Sequence, residues 1–350
     1  MDVPSASAVW VHNIDPVLLP IWGPLKLRWY GLAYLLGFAG GYFLLRHLAR
    51  RGLYVLKESE VADFIAYAAI FGVFLGGRLG YVLFYSVPES GWGAVLEDPL
   101  QILRVWDGGM ASHGGIIGLA LFSLYWARRK QVSWLGLGDG LCVVAGVGLF
   151  CGRMANFING ELYGRVSSGV AWLMKFPHSL VAFKPPSPES KQFHEAMREA
   201  VATDPERLAG AWEAYAGPEP QLSGPGLLEV VLAAGRENPE VTGALAPYLE
   251  PRHPSQLYEA ILEGALVFAL LWFLRVHYPR MRHGVLTGLF FILYAVFRIV
   301  VEGFREPDST WVVENVLTKG QFYSVFMIVV GAAFLGYGLR KGGRLEPQEG

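Results

Sequence analysis

Long apolar stretches dominate the distribution of hydrophobic and polar residues along this chain. A helix that crosses a bilayer needs about 20 mostly apolar residues. Seven stretches meet this requirement, roughly at 27–46, 60–86, 111–127, 135–160, 255–276, 283–303 and 321–339. The third is short and rich in glycine, so its boundary is the least well defined. The pattern predicts an all-α polytopic membrane protein with seven transmembrane helices.

The longest polar interruption separates the fourth and fifth apolar stretches. Residues 184–250 are rich in Pro, Glu and Ala, with helix-like patterns near 191–202 and 227–236. We interpret residues 166–250 as an external subdomain. The predicted organisation is therefore spans one to four in 1–165, the subdomain in 166–250, and spans five to seven with a basic tail in 251–350.

Composition agrees with a membrane protein. Of the 350 residues, 53% are hydrophobic and only 17% are charged, whereas soluble chains carry roughly 25% charged residues. The net charge of -1 gives no support for a nucleic-acid partner. The first 20 residues contain no Lys or Arg and do not resemble a cleaved signal peptide.

The distribution of Lys and Arg predicts the orientation of the chain. Thirteen of these residues lie in the connections 46–57, 128–130 and 275–282 and in the tail. The short connections on the opposite side carry five, and a loop longer than about 60 residues does not influence orientation. Because cytoplasmic loops are enriched in positive charge, we expect the N-terminus outside and the C-terminus in the cytoplasm.

Three arginines lie inside predicted spans, namely Arg78, Arg153 and Arg298. An arginine near the bilayer centre costs about 2.5–3.5 kcal/mol on insertion scales. Each lies roughly 5–8 residues from the predicted outer end of its span, which corresponds to a depth of about 8–12 Å. Snorkelling explains an arginine close to a helix end, but it gives no reason for three at one depth. We therefore expect a shared site.

The chemistry of arginine indicates what such a site binds. Its guanidinium group is always protonated and offers a planar fork of donors that suits phosphate. Several guanidinium groups at this depth favour an anionic phosphate ligand that enters from the outer leaflet. A phospholipid headgroup fits this description.

Neighbouring polar residues support the hypothesis. Tyr294, Arg298 and Glu302 share one helix face because they are spaced by four residues, and Glu302 could hold Arg298 in one rotamer. The alternative is a purely structural ion pair. Asn156 lies on the same face as Arg153 and precedes Glu161 near the outer end of the span.

Arg78 and His113 lie in glycine-rich surroundings. Arg78 follows Gly76 and Gly77, and such small residues let helices approach closely, so Arg78 could tie helices together instead of contacting substrate. His113, at the outer start of the third stretch, could act as a general base near neutral pH. The alternative is an interfacial histidine in a re-entrant turn. His253 begins a polar helix start and could be a helix cap. No His, Asp and Glu set has metal-ligand spacing, so we expect no metal.

Five segments together resemble the prolipoprotein diacylglyceryl transferase family. They are FLGGRLGYVLFY (74–85), RVWDGGMASHGG (104–115), GRMANFINGELYGR (152–165), RHPSQLYE (252–259) and YAVFRIVVEGFREPD (294–308). The resemblance extends over nearly every span and over the order of the motifs, which makes it far more specific than a single short pattern. Residues 166–250 depart from it, because they look longer than the usual insert of the family.

The resemblance implies a bacterial inner-membrane enzyme whose active site faces the periplasm and which uses no cofactor. Such an enzyme moves a diacylglyceryl group from phosphatidylglycerol to the lipobox cysteine thiol of a prolipoprotein, and it releases glycerol 1-phosphate. The implied catalytic residues are His113, Arg153 and Arg298. The positions expected to bind substrate are Tyr30, Arg78, Asn156, Glu161, Gly164, Tyr294, Glu302 and Arg305.

Two questions stay open at this point. His113 could deprotonate the thiol or could only orient the headgroup. A transporter or flippase for an anionic lipid or solute is the alternative function, since buried arginines could line its path. That alternative predicts charges at several depths and broken helices in paired halves, whereas the charges here cluster in the predicted outer half and the halves show no repeat.

Overall fold

The computed structural model describes residues 9–22, 25–104, 108–181, 188–306 and 318–345. Within these residues the apolar stretches form helices, which confirms the predicted helical class. Six of the helices are long and apolar enough to cross a membrane: Trp29–Arg50, Glu58–Gly93, Trp134–Ile158, Ser255–His277, Val285–Glu302 and Gly320–Lys341. The protein is therefore a multi-pass membrane protein.

The third predicted span also forms a helix, Ser112–Lys130, with three basic residues in its last turn. Those charges and its glycines lower its hydropathy, and it is not one of the six. The count of seven spans, the orientation of the termini and the external position of the subdomain therefore stay predictions.

The described part of the chain divides into two compact units. The first combines Met1–Leu36, Leu149–Ala265 and Tyr294–Phe326, and the second combines Gly37–Gly148, Leu266–Leu293 and Met327–Gly350. Each unit thus collects distant segments, whereas the division into 1–165, 166–250 and 251–350 follows the order of the sequence. That three-part division stays a prediction.

In the second unit, glycines bring two helices into contact. A Cβ atom on Gly76 would lie 2.7 Å from the carbonyl oxygen of Gly114 and 2.8 Å from the Cα of Gly118. Gly80 faces Gly114 in the same way. A methyl group at any of these positions would separate the backbones, so the glycines determine the position of Ser112–Lys130 against Glu58–Gly93.

A buried carboxylate organises another part of the second unit. Asp139 is fully buried and accepts hydrogen bonds from the backbone N–H of Gly284 and of Thr287, both at 2.8 Å. The Thr287 hydroxyl donates to the same carboxylate at 2.9 Å, and Arg275 Nη2 lies 3.6 Å from it. Asp139 therefore occupies the N-terminal end of the Val285–Glu302 helix, where backbone N–H groups lack intrahelical partners.

The predicted subdomain contains four helices with their own apolar core in the first unit. They are Pro188–Thr203, Pro205–Ala216, Gly224–Glu237 and Pro239–Leu245. The core includes Met197, Leu208, Leu228 and Val231, which are all fully buried. The two helix-like patterns near 191–202 and 227–236 are thus confirmed. Ser223 and Asn238 cap the last two helices through their side chains, as their sequence positions before proline-containing first turns favour.

The first unit also contains two small antiparallel sheets, so the fold is not entirely helical. Val17–Trp22 pairs with Leu25–Arg28, and Met174–Lys175 pairs with Pro251–Arg252. An isolated bridge joins Gly164 to Arg305. This bridge connects the segment after the Trp134–Ile158 helix to Arg305, which belongs to the polar residues described next.

Candidate active site

Arg153 and Arg298 share one buried carboxylate. Arg153 Nη1 lies 3.0 Å from Glu259 Oε2, and Arg298 Nη1 forms a short ion pair with Glu259 Oε1. Arg305 Nη1 lies 2.5 Å from the same Oε1 atom. Glu259 is fully buried, so its negative charge is compensated by three guanidinium groups rather than by water. Two of the three arginines predicted to share a site, Arg153 and Arg298, are therefore brought together.

Two further glutamates complete the charge balance. Glu263 lies 3.4 Å from Arg153 and 3.8 Å from Arg298. Glu302 Oε2 lies 3.0 Å from Arg298 Nη2, and its Oε1 accepts a hydrogen bond of 2.8 Å from the Thr318 hydroxyl. The predicted pairing of Glu302 with Arg298 is thus present. We call the following six side chains the ion-pair network: Arg153, Glu259, Glu263, Arg298, Glu302 and Arg305.

Local helix geometry brings several side chains of the ion-pair network together. Arg298 and Glu302 are one turn apart on the Val285–Glu302 helix, so their side chains meet. Glu263 lies on a π-helical segment, Ala260–Leu266, that interrupts the Ser255–His277 helix. Such segments occur frequently at functional sites. Both glutamates of this helix thereby reach Arg153 and Arg298.

A second polar group lies close to Arg153 along the chain. The side-chain amide of Asn156 donates to Glu161 Oε1 at 2.8 Å and forms a short hydrogen bond with the Tyr30 hydroxyl. The Gln256 amide donates to the Glu161 carbonyl at 2.6 Å. The family resemblance implies that Tyr30, Asn156 and Glu161 bind substrate. These three residues form one hydrogen-bonded cluster in the first unit.

Gly164 and Tyr294, two further predicted substrate-binding positions, also lie in the first unit but make different contacts. Gly164 donates its N–H to the His253 carbonyl at 2.8 Å, and a Cβ atom there would lie 2.6 Å from that oxygen. Because Gly164 has no side chain, its backbone can form the β-bridge to Arg305. Tyr294 lies one turn before Arg298 and interacts electrostatically with Arg153 and Glu263.

Arg78 contacts backbone carbonyls of the second unit. It is buried, donates through Nη1 to Gly108 and to Gly109, the latter at 3.1 Å, and through Nε to Ile102 at 3.3 Å. Its guanidinium group also lies 5.7 Å from the ring centre of Tyr81. This geometry favours the interpretation that Arg78 holds chain segments together, which the sequence left as one of two alternatives.

His113 is the second residue of the Ser112–Lys130 helix and is exposed. The segment before it is attached to the helix of Arg78, because the Ala111 N–H donates to the Gly77 carbonyl at 2.9 Å. His113 and Arg78 belong to the second unit, whereas the ion-pair network belongs to the first. The catalytic assignment of His113 stays a proposal.

His253 does not act as the helix cap that the sequence suggested. The helix begins at Ser255 with Pro254 as its cap residue, and His253 Nδ1 instead lies 3.0 Å from the Tyr258 hydroxyl. Burial lowers the pKa of His253 below its ordinary value. Among the described residues, no group of three or more His, Cys, Asp or Glu is arranged to hold a metal ion.

Three members of the site escaped the sequence analysis, namely Glu259, Glu263 and Thr318. The signal for the two glutamates was available. They are spaced by four residues inside an apolar stretch, and buried arginines require opposite charges nearby. Thr318 carries no such signal, because its contact with Glu302 depends on how the chain returns after the Val285–Glu302 helix.

The chain is similar to known proteins over most of its length. Residues 16–337 match the family model described as prolipoprotein diacylglyceryl transferase. A phosphatidylglycerol--prolipoprotein diacylglyceryl transferase of Bdellovibrio bacteriovorus is 41% identical over 329 residues, which cover 92% of each chain. The protein of the same name from Proteus mirabilis is 37% identical, covering 94% of this chain and 93% of its own.

The likeness extends to a further relative of that name. The protein from Yersinia enterocolitica is 37% identical over 339 residues, which cover 96% of this chain and 98% of the relative. The matched regions therefore span nearly the whole chain. Together with the geometry above, they show that the chain belongs to the prolipoprotein diacylglyceryl transferase family.

Proposed function

We propose that this protein transfers a diacylglyceryl group from phosphatidylglycerol to the lipobox cysteine thiol of prolipoproteins. The observation that carries the proposal is the ion-pair network, which holds Arg153 and Arg298 together within apolar helices. The relatives named for this activity match over nearly the whole chain. The reaction is the first step of lipoprotein maturation.

The reaction is a displacement at carbon. Sulfur forms a bond to the glycerol carbon of the diacylglyceryl group, and the bond between that carbon and the phosphate oxygen breaks. The oxygen keeps the electron pair, so glycerol 1-phosphate leaves and a thioether remains. The thiol loses its proton to a base. Because negative charge grows on the phosphate as the bond breaks, positive groups held in place there lower the barrier.

Arg153 and Arg298 are the proposed source of that stabilisation. Each guanidinium group offers five N–H donors, and the glutamates use only some of them. Glu259 and Glu302 hold the two groups in fixed directions, so little reorganisation is needed when the phosphate gains charge. Tyr30, Asn156, Glu161, Gly164, Tyr294 and Arg305 are proposed to shape and bind the substrate around them.

His113 is proposed as the base. A free thiol has a pKa of about 8.5, so only a few per cent is thiolate at neutral pH. An imidazole takes up a proton in this range and would raise that fraction. Its position at the start of the Ser112–Lys130 helix, attached to the segment that Arg78 holds, supports a fixed location for the ring.

The proposed setting is the bacterial inner membrane, with seven spans and the active site facing the periplasm. Phosphatidylglycerol would enter from the outer leaflet, and the signal peptide of the prolipoprotein would present its cysteine there. No observation on the described residues favours a transporter or flippase, and the named relatives are transferases.

The test is lipidation of a lipobox peptide by the purified protein in phosphatidylglycerol-containing micelles, read as a mass increase. We expect Arg153→Ala and His113→Gln to abolish the modification while both variants still insert into the membrane. The lost stabilisation at Arg153 alone corresponds to about 10²–10³-fold in rate.

Arg207→Ala is the matched control, because Arg207 also pairs with a glutamate, at 2.7 Å, but is half exposed in the subdomain. It should retain full activity. Near-normal turnover by both Arg153→Ala and His113→Gln would refute the site, and an unmodified peptide with the wild-type protein would refute the function.

A further inference from the structure

The formal charges of the ion-pair network cancel without any ligand. It contains three arginines and three glutamates, and the glutamates are almost completely shielded, with 0% of the side chain exposed in Glu259 and Glu263 and 5% in Glu302. Arg153 and Arg298 retain 18% and 14% exposure. The guanidinium groups of Arg153 and Arg298 are therefore the accessible part of the network, whereas its carboxylates are shielded.

Glu263 differs from the other two glutamates in its contacts. Glu259 and Glu302 approach their arginines at 3.0 Å or less, whereas Glu263 lies 3.4 and 3.8 Å away. The contact with Arg153 at 3.4 Å is a weak hydrogen bond, and 3.8 Å to Arg298 is beyond hydrogen-bond distance. A carboxylate at these distances still acts on both guanidinium groups through its charge. Glu263 thus holds the arginines in place less than Glu259 does, and it reduces their positive charge.

Within the part of the chain that the structure describes, the charged and titratable groups that act on Glu263 come from three helices and from the residue that follows one of them. They are Arg153 from the Trp134–Ile158 helix, Tyr294 and Arg298 from the Val285–Glu302 helix, Arg305 after that helix, and Glu259 on its own helix. Without Glu263 the network would carry a net charge of +1. With it, the network offers donors for an anion but no excess positive charge.

We propose that Glu263 is a specificity-determining residue that limits the negative charge accepted by the site, so that a phosphodiester binds and a phosphomonoester dianion is released. The inference rests on the proposed function, because substrate and product of that reaction differ in this charge. A diester phosphate carries one negative charge, whereas a monoester carries about −1.5 to −2 at pH 7, since its second pKa is near 6. In a site shielded from water, the second negative charge of the monoester is repelled by the buried glutamates, so its binding is strongly disfavoured.

The proposal predicts how the two kinds of phosphate bind. We would titrate purified protein in phosphatidylglycerol-free micelles with glycerophosphoglycerol, a diester, and with glycerol 1-phosphate, a monoester, and follow the phosphorus NMR signals. At pH 8 the wild-type protein should prefer the diester. At pH 5.5, where the monoester carries one charge, that preference should shrink at least about tenfold, because the second charge is then absent.

Glu263→Gln removes the charge and keeps the size of the side chain. At pH 8 it should improve binding of the monoester more than binding of the diester, reducing the diester preference at least about tenfold. In the lipidation assay it should make glycerol 1-phosphate a stronger product inhibitor. Glu306→Gln is the matched control, because Glu306 pairs with Arg252 at 3.0 Å outside the network, and it should leave the preference unchanged.

Several outcomes would overturn the proposal. These are equal gains for both ligands in Glu263→Gln, tighter binding of the monoester than of the diester by the wild-type protein at pH 8, and failure of both ligands to bind. If Glu263→Gln does not fold, the pH dependence of the wild-type preference decides alone. Because binding is measured without turnover, failure of the lipidation assay contradicts the proposed function separately.

Discussion

A single residue, Glu259, explains why buried arginines are tolerated in apolar helices here. Its carboxylate contacts Arg153, Arg298 and Arg305 and is fully buried. Removing one partner from a buried ion pair costs about 3–5 kcal/mol, because the remaining charge is left uncompensated. The guanidinium groups are consequently held in place by the carboxylate, which is what the proposed stabilisation of a phosphate leaving group requires.

Gly320 packs directly against the carboxylate of Glu302, so adding one methyl group at this position tests whether Glu302 must keep its place. A Cβ atom on Gly320 would lie 2.8 Å from both carboxylate oxygens of Glu302. Gly320→Ala should therefore displace Glu302, and with it Arg298, and lower lipidation about 10- to 100-fold, as a misplacement of about 1 Å does elsewhere.

Gly336 is the control for this prediction. It lies in the same helix, Lys319–Lys341, and nothing lies within 4 Å of a Cβ atom placed there. Gly336→Ala should retain normal turnover in the same assay. Equal activity of both variants would show that Glu302 does not need its observed position.

At the scale of elements, Asp139 connects three helices through the parts of them that belong to the second unit. It belongs to Trp134–Ile158, accepts hydrogen bonds from the first turn of Val285–Glu302, and lies 3.6 Å from Arg275 at the end of Ser255–His277. The sequence shows only an aspartate near the end of an apolar stretch. In the folded protein Asp139 caps the Val285–Glu302 helix, which lies far away in the sequence.

Asp139→Ala should therefore destabilise the protein by about 3–5 kcal/mol, because Arg275 is left buried without its partner and the helix loses its cap. The measurement is the free energy of unfolding in detergent. Asp63→Asn is the control, since Asp63 is exposed, and it should change stability by less than about 0.5 kcal/mol. A loss of similar size in both variants would contradict the capping role.

At the scale of the whole molecule, the N-terminal segment packs against the start of the polar subdomain within the first unit. His12 donates its backbone N–H to the Lys175 carbonyl at 2.8 Å, and its ring packs against Phe157 and Phe176. Burial, the largest cause, lowers the pKa of His12 to about 4 from 6.5. Its neutral ring is thus part of an aromatic cluster.

The lowered pKa of His12 predicts how the free energy of unfolding changes as the pH falls. Above pH 6.5 His12 is neutral in both the folded and the unfolded protein. Between pH 6.5 and 4 mainly the unfolded chain binds the proton, so stability falls with falling pH, by up to about 3 kcal/mol. Unfolding free energies measured across this window check the sign.

The contribution of His12 is isolated by substitution. His12→Phe cannot titrate and should show a smaller loss of stability between pH 6.5 and 4 than the wild-type protein. His194→Gln, at an exposed position of the subdomain, should follow the wild-type curve. Identical curves for wild type and His12→Phe would contradict the assignment.

The sequence was informative wherever a local property sufficed. Apolar length predicted the helices, and the spacing of Arg298 and Glu302 predicted their contact, which is present at 3.0 Å. It was uninformative where partners are remote. Arg78 left two alternatives open because its bonds go to carbonyls 24 to 31 residues away, and carbonyls are present at every residue.

By itself, the sequence determined the class of the protein, its family resemblance and the presence of three arginines inside apolar stretches. These follow from residue type and local spacing, which do not depend on the fold. Only the tertiary structure decided which carboxylates compensate those arginines, that Glu263 lies farther away than Glu259, and that Asp139 caps a distant helix. The physical reason is that charge compensation acts over a few ångströms in space, and packing chooses the neighbours that meet there.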